Sequence, residues 1–143
     1  MSKRETELFI FDVFVAILKI EEASSHFDNA DDLKHDYLSW DSVVREFEII
    51  GEASKYLIND AILDNEKKRI VDFRNVLIHH YFGIDEDAVW RVIKKELPAL
   101  KVIIHQHIAT LPSELKNELL RDFMKENNHL DFVVRALEQF DEK

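Results

Sequence analysis

An arginine and a histidine stand five positions apart within FRNVLIHHYFGID, residues 73–85, a segment that is otherwise mostly apolar. The planar cation of Arg74 suits phosphate oxygens and the charge that develops on a transferring phosphoryl group. The imidazole of His79 can accept and release a proton near neutral pH. Since no thiolate or carboxylate ligand accompanies them, the pair favours metal-independent cleavage of RNA, whose 2′-hydroxyl is an internal nucleophile that DNA lacks. Surface and interface residues often show this spacing by chance, so the spacing alone leaves a purely structural role open.

The helix that carries this pair has two apolar sides when its residues are placed at 100° intervals. One side is typical of a bundle core: Ile70, Phe73, Val76, Leu77 and His80. The other side mixes polar and apolar residues: Val71, Arg74, Asn75, Ile78, His79, Tyr81 and Phe82. This mixed face would form an apolar patch if exposed and would leave charges unpaired if buried within one chain. We therefore expect a homodimer whose contact lies at this face and whose composite site combines the arginine and histidine of both copies.

Two further features of the same segment bear on RNA. Asn75 precedes His79 by one helical turn, so its amide is predicted to act as a supporting residue that orients the imidazole. Lys67, Lys68 and Arg69 lie one to two turns before the arginine, where they are equally compatible with a solvated face and with RNA binding.

The net charge of −10 argues against nucleic acid, because most affinity for a phosphate backbone comes from lysine and arginine. The distribution of charge along the chain is more compatible with RNA binding than the net charge is. Residues 67–81 hold four basic residues and a single acid, whereas acids concentrate in residues 28–41 and near the C-terminus. This pattern leaves room for one small RNA site, with weak non-specific binding and a strong dependence on salt.

Composition predicts the elements that must position these residues. The 143 residues include 46% apolar and 34% charged side chains but only two Gly, two Pro and no Cys. So few turn residues disfavour a sandwich or barrel of many short strands, and the missing cysteines exclude a disulfide scaffold or a thiolate site. We expect an all-α bundle in a cytoplasmic protein without a membrane span.

Apolar periodicity predicts helices over residues 2–27, 41–59, 64–82 and 86–108, with a loop over 28–40 that holds at most a short turn. Ser2 with Glu5 forms a capping-box pattern, and Asp41 and Asp85 are predicted helix caps. Two further amphipathic helices occupy residues 112–128 and 129–140.

Four positions are predicted to shape these helices. Gly51 lies inside a helical pattern and indicates close packing between helices. Gly83 is expected to end the third long helix in the manner of a C′ glycine. Pro98 predicts a kink or a short break near Glu96. The pair Asn127–Asn128 is the expected turn between the last two helices.

Other candidate sites carry weaker signals. His105 and His107 are two positions apart and point about 200° away from each other on a helix, so they do not converge on a metal. No glycine-rich phosphate loop is present, and we expect neither a metal nor a cofactor. Trp40 and Trp90 are interpreted as packing residues.

Arg74, His79 and Tyr81 match an Arg-x4-His-x-Tyr motif, and two more segments match the same family in the same order. These segments are REFEIIGEASKYL, residues 45–57, and HHYFGIDEDAVWRVIKKELPALK, residues 79–101. Over about residues 3–108 the chain resembles the HEPN ribonuclease toxins of the HepT type. These toxins are partners of MNT-type minimal nucleotidyltransferase antitoxins.

The resemblance implies an all-α HEPN-type homodimer in which Arg74 and His79 of both subunits line a cleft at the interface. It implies a toxin that cleaves tRNA or mRNA without metal. It also implies that the antitoxin modifies Tyr81 by AMPylation, which would place negative charge beside the arginine and repel RNA. A non-catalytic HEPN module that binds RNA or nucleotide and scaffolds the nucleotidyltransferase is the alternative.

The resemblance also divides the chain. Residues 1–109 correspond to the helical bundle, and residues 110–143 form a helical C-terminal extension past the usual end of the family. This extension is compatible with packing on the bundle, with a larger dimer contact and with binding of the antitoxin.

Overall fold

The computed structural model describes residues 3–79 and 83–141, with side chains described over residues 5–77 and 83–141. Within this part the chain is all-α, without a β-strand, as predicted. The helices are α1 (Lys3–Ser24), α2 (Ala30–His35), α3 (Tyr37–Asn59), α4 (Lys68–His79), α5 (Glu86–Arg91), α6 (Leu97–Ala109), α7 (Ser113–Glu126) and α8 (Asp131–Glu138). None of these helices combines the length and apolar character needed to cross a bilayer.

Helix α1 forms the centre of the bundle. Between Ile10 and Leu18 every residue except Asp12 is buried, so the helix is covered on nearly all sides. Helices α3 and α6 cover part of it, and the C-terminal extension covers another part. Phe123 of α7 stacks on Phe11 with ring centroids 5.1 Å apart, and Phe140 meets Phe14 edge-on at 5.4 Å. The extension therefore packs on the bundle and completes its core.

The segment predicted as a loop, residues 28–40, is mostly helical. Asn29 caps α2 by accepting a hydrogen bond from the backbone N–H of Asp32 at 2.9 Å. Asp36 caps α3 by accepting from the N–H of Ser39 at 3.1 Å. The predicted cap at Asp41 is therefore wrong, because α3 begins one turn earlier. The capping side chains supply these helices with hydrogen bonds that apolar periodicity does not reveal.

A tight reversal joins α3 to α4 and brings their side chains together. Ala61 adopts a left-handed conformation with φ of 61°. The N–H of Ile62 then reaches the carbonyl of Leu57 at 2.9 Å, which is the Schellman pattern at a helix end. A short 3-10 turn, Asn65–Lys67, follows, and Asp64 caps it. As a result α4 begins at Lys68, four residues later than the periodicity predicts.

Helices α5 and α6 are joined by a π-helical segment, Val92–Glu96. Pro98 has no N–H to donate to the carbonyl of Lys94, and the N–H of Leu97 bonds five residues back to Val92. Near residue 96, where a kink or a short break is predicted, the helix is not broken but continues through a π segment. Asp85 caps α5, as predicted, by accepting from the N–H of Asp87 at 2.9 Å.

Three smaller predictions have different outcomes. Asn127 makes the turn after α7, where its side-chain amide donates to the carbonyl of Phe123 at 2.9 Å. Gly83 does not adopt a positive φ, so the expected left-handed glycine cap is wrong. The predicted capping box at Ser2 lies outside the described residues.

Candidate active site

Helices α3 and α4 approach each other closely at Gly51. A Cβ added to this residue would lie 2.6 Å from Cγ of Arg74 and closer still to its Cβ, which no real side chain tolerates. The close packing predicted for Gly51 is therefore confirmed. The side chain that uses the space is the candidate catalytic arginine.

Two side chains hold the guanidinium of Arg74. Its Nη2 lies 3.1 Å from Oε2 of Glu52 on α3, and its Nη1 donates to Oδ1 of Asn75 at 3.1 Å. Nε is buried and has no hydrogen-bond partner among the described residues. The side chain as a whole is 28% exposed. The cation is thus oriented by its neighbours while part of it stays open to solvent, an arrangement suited to binding an anion.

Glu52 is a site residue that sequence reasoning did not single out. It follows Gly51 directly, so the residue that admits the arginine is next to the residue that pairs with it. Both lie within residues 45–57, one of the segments that carry the family resemblance. The pairing itself crosses between two helices, so periodicity along either helix alone could not reveal it.

The predicted role of Asn75, orientation of the His79 imidazole, involves a side chain outside the described residues. Its amide oxygen accepts from the neighbouring arginine, so Asn75 helps to orient the cation. His79 is the last residue of α4, roughly 7.5 Å along the helix axis from Arg74, but its side chain lies outside the described residues. Tyr81 lies outside them entirely. The predicted contact between Asn75 and His79 therefore stays a prediction.

A cleft of about 420 Å³ opens beside the arginine, between the end of α3 and the first turns of α4. Its polar lining comes from both helices and from the 3-10 turn between them: Lys55, Asn59, Asn65, Lys68, Asp72, Arg74 and Asn75. The cleft thus places the candidate catalytic cation at one end of a surface rich in lysine and amide groups.

The three basic residues predicted for RNA binding are separated by the fold. Lys68 lines the cleft beside the arginine. Lys67 lines a different cavity, next to Ile103 of α6. Arg69 lies 3.6 Å from Glu96 of the π segment, so its charge is paired. Lys55 of α3, which sequence reasoning did not single out, shares the cleft with Lys68 instead.

The core face of α4 is narrower than predicted. Ile70 and Leu77 are buried and Phe73 is partly buried, as expected for a bundle core. Val76 is 49% exposed, so its assignment to the core is wrong. On a helix with 100° per residue it lies about 200° from Arg74, at the end of the arc predicted to face the core. His80 lies outside the described residues.

The remaining candidates have structural surroundings. His105 packs on Phe140, with ring centroids 4.5 Å apart, whereas Nε2 of His107 lies 3.7 Å from the buried Glu7. The two imidazoles do not share a site, as predicted. Trp40 and Trp90 pack against the core while partly exposed, in agreement with the interpretation as packing residues.

Among the residues that the structure describes, one group of acids lies close enough together to hold a metal. The carboxylates of Asp85, Glu86 and Asp87 come within 4.8 Å of one another at the surface. Asp85 is engaged as the cap of α5, and Glu86 lies 2.6 Å from the ammonium of Lys34, which lowers the pKa of this carboxyl. Two of the three carboxylates, those of Asp85 and Glu86, thus already have partners within the protein.

Comparison with known proteins identifies relatives over most of the chain. A family model described as "Ribonuclease HepT-like" matches residues 15–107, so the whole C-terminal extension lies beyond it. "Putative RNase MJ1380" of Methanocaldococcus jannaschii is 36% identical over 107 residues, which are 71% of this chain and 94% of that protein. "Probable ribonuclease HepT" of Thermococcus cleftensis is 34% identical over 69% of this chain and 92% of its own length. No solved structure gives a significant match.

Proposed function

The chain belongs to the HepT-like ribonuclease family, and from this premise we propose that it is an endoribonuclease toxin. It cleaves tRNA or mRNA in the cytoplasm, without metal, at a composite site that two copies of the chain form together. The observation that carries this proposal is the oriented guanidinium of Arg74, which Gly51 admits and which Glu52 and Asn75 hold.

The proposed reaction uses groups of the protein and of the RNA alone. His79 of one copy accepts the proton of the 2′-hydroxyl, whose oxygen attacks the adjacent phosphorus. The bond to the 5′-oxygen breaks, and His79 of the other copy donates a proton to this leaving group. The products are a 2′,3′-cyclic phosphate and a 5′-hydroxyl. Arg74 stabilises the negative charge on the phosphorane, where an oriented donor is worth about 10²–10³ in rate.

The surface around the arginine supports the dimer. Val71 is partly buried, and the polar side chains of Arg74 and Asn75 reach solvent. A mixed surface of this kind is suited to a partly wet interface. Two copies joined here would bring two arginines and two histidines to one cleft, and they would keep most acidic residues away from it.

The proposed regulation rests on the place of Tyr81 in the Arg-x4-His-x-Tyr motif. We propose that an MNT-type nucleotidyltransferase antitoxin attaches AMP to Tyr81, two residues beyond His79. The added phosphate brings negative charge and bulk close to the arginine, so it competes with RNA for the same cation.

The direct test compares growth arrest and RNA cleavage in EDTA for wild type, Arg74→Ala and His79→Ala. We expect both substitutions to abolish arrest and to lower cleavage by about 10²-fold or more. Arg121→Ala and His26→Ala are matched controls, because both residues are exposed and lie on other helices or loops. A wild-type protein that binds RNA without cutting it would favour the non-catalytic scaffold instead.

AMPylation has its own test, the intact mass of the protein after incubation with the cognate nucleotidyltransferase and ATP. The proposal predicts an adduct on wild type that is absent from Tyr81→Phe. An unchanged mass, or an adduct that survives the substitution, would contradict it.

A further inference from the structure

We propose that the cleft beside Arg74 is a subsite for the nucleotide next to the scissile phosphodiester. In this subsite Lys55 and Lys68 bind the phosphate, and Asn59 and Asn65 contact the base. The inference rests on the proposed ribonuclease function, because it takes Arg74 as the position of the reacting phosphate. Beyond the proposed function, the inference assigns the residues that bind the part of the RNA next to the reacting phosphate.

The charge of the cleft favours an anion. Lys55 and Lys68 contribute two cations to the lining, Asp72 contributes one carboxylate, and Arg74 contributes a cation that Glu52 partly neutralises. Both lysines are exposed, and neither has an ion-pair partner within the described part of the chain. Several basic residues elsewhere are paired, as Lys101 is with Glu21 at 2.9 Å. In a chain of net charge −10, unpaired cations from two helices therefore converge on this one cleft.

The position of the cleft fits a neighbouring nucleotide. Lys68 lies six residues before Arg74, which is roughly 9 Å along the axis of α4. Lys55 lies one turn beyond Gly51 on α3, and the two helices run antiparallel, so both lysines are displaced from the arginine in the same direction. A strand whose phosphate binds the arginine can therefore continue along the cleft toward the lysines.

The rest of the lining suits a base. Asn59 and Asn65 are exposed amides that can donate and accept hydrogen bonds with a base edge. Ile58 and Val71 supply apolar surface between the polar groups. The volume of about 420 Å³ falls in the range of about 300–1,000 Å³ found for small-molecule sites. Unstacked bases of single-stranded RNA are bound in this way, so we infer a single-stranded segment.

The test measures binding of a single-stranded RNA whose 2′-hydroxyls are methylated, so that it cannot be cleaved. Affinity is measured by fluorescence anisotropy at several salt concentrations for wild type and Lys55→Ala/Lys68→Ala. We expect the double variant to bind about tenfold more weakly at low salt. Its plot of log affinity against log salt should be less steep by about 0.7, since both lysines bind one phosphate and each single-strand phosphate contact contributes about 0.7.

Lys125→Ala is the matched control, since this lysine is exposed on α7 and does not line the cleft. It should leave both affinity and slope unchanged. Asn59→Ala tests the base contact. It should change the relative affinities for methylated oligomers that differ in base sequence. It should leave unchanged the slope of log affinity against log salt. A double variant that behaves like the Lys125→Ala protein would overturn the inference.

Cleavage and oligomeric state separate this inference from the proposed function. If wild type binds the methylated RNA through the lysines but cuts no unmodified RNA, the ribonuclease proposal fails and the subsite stands. If wild type cuts RNA and the double variant keeps the same KM and slope, the subsite fails and the ribonuclease proposal stands. If the double variant becomes a monomer in size-exclusion chromatography with light scattering, the cleft is a subunit contact and the inference is wrong.

Discussion

The contact between α3 and α4 differs in kind from the contact between α1 and the C-terminal helices. Around α1 the packing is aromatic, with Phe11 stacked on Phe123 and Phe14 meeting Phe140. Between α3 and α4 a glycine lies against an arginine whose guanidinium is paired at the surface. The first contact stabilises the fold, whereas the second positions one cation. Substitutions in the two regions should therefore affect different measurements.

The largest effect on stability is expected at the aromatic contact. Phe14→Ala removes a fully buried ring and should lower the free energy of unfolding by about 3–5 kcal/mol, because the cavity cannot close completely. Denaturant unfolding measures this loss. Leu38→Ala is the control, since Leu38 is 68% exposed and its removal should cost no more than about 0.5 kcal/mol. Equal losses in the two variants would contradict the assignment of the core.

Gly51→Ala should affect both stability and catalysis. The new Cβ would overlap Cβ and Cγ of Arg74, so α4 must move away. We expect a loss of about 1–3 kcal/mol in unfolding free energy, and a fall in kcat as the guanidinium is displaced. Gly83→Ala is the matched control, because a Cβ there meets nothing within 4 Å. If Gly51→Ala left kcat unchanged, the close approach would not matter for positioning the arginine.

Glu52→Gln separates orientation from charge at the same contact. Glutamine keeps the size of the side chain and a hydrogen bond to the arginine but removes the negative charge. RNA should then bind several-fold more tightly at low salt, because the cation is no longer partly neutralised, while kcat falls several-fold as the guanidinium loses its strong partner. Binding of methylated RNA and single-turnover cleavage measure the two effects. Tighter binding without any change in kcat would mean that Glu52 does not position the arginine.

The smallest expected effect concerns two acids away from the candidate site. Burial raises the pKa of Asp12, and burial also raises that of Glu46 despite the nearby Lys19 and Arg45. The folded protein therefore holds these protons to higher pH than the unfolded chain does. The stability of the fold accordingly decreases as pH rises from about 4 and the two groups ionise. Asp12→Asn should raise Tm at pH 7 by about 1–3 °C and have little effect near pH 3. A Tm difference that grew on acidification would contradict this sign.

The pKa of Glu86 is shifted in the opposite direction to those of Asp12 and Glu46. Its pKa is lowered by the hydrogen bond from Lys34, so its contribution is present above the ordinary value of 4.5 and is lost as pH falls. Glu86→Gln should therefore narrow the stability difference between neutral and acidic pH. The group is exposed, so a small change is expected.

Periodicity and composition predicted the fold class and the main helices, because long apolar patterns report directly on which residues enter a core. The same patterns missed α2, which has only six residues and two buried side chains, Ala30 and Leu33. They also could not show that the C-terminal extension covers α1. That result depends on which helices meet in space.

The candidate site was predicted to a smaller extent. Arg74 was visible because its residue type and spacing suggest a chemistry, and Gly51 because a glycine inside a helix requires a reason. Glu52 and Lys55 reach the site across a helix contact, so no single-helix pattern contains them. The pairing of Arg69 with Glu96 is likewise a property of the fold.

The chemistry of the RNA ends tests the central claim most directly. A labelled single-stranded RNA is incubated with wild type in EDTA, and the termini are identified by mass spectrometry. Attack by the 2′-hydroxyl predicts a 2′,3′-cyclic phosphate and a 5′-hydroxyl, formed by wild type and lost in Arg74→Ala. A 5′-phosphate product, or cleavage that survives Arg74→Ala undiminished, would contradict the account.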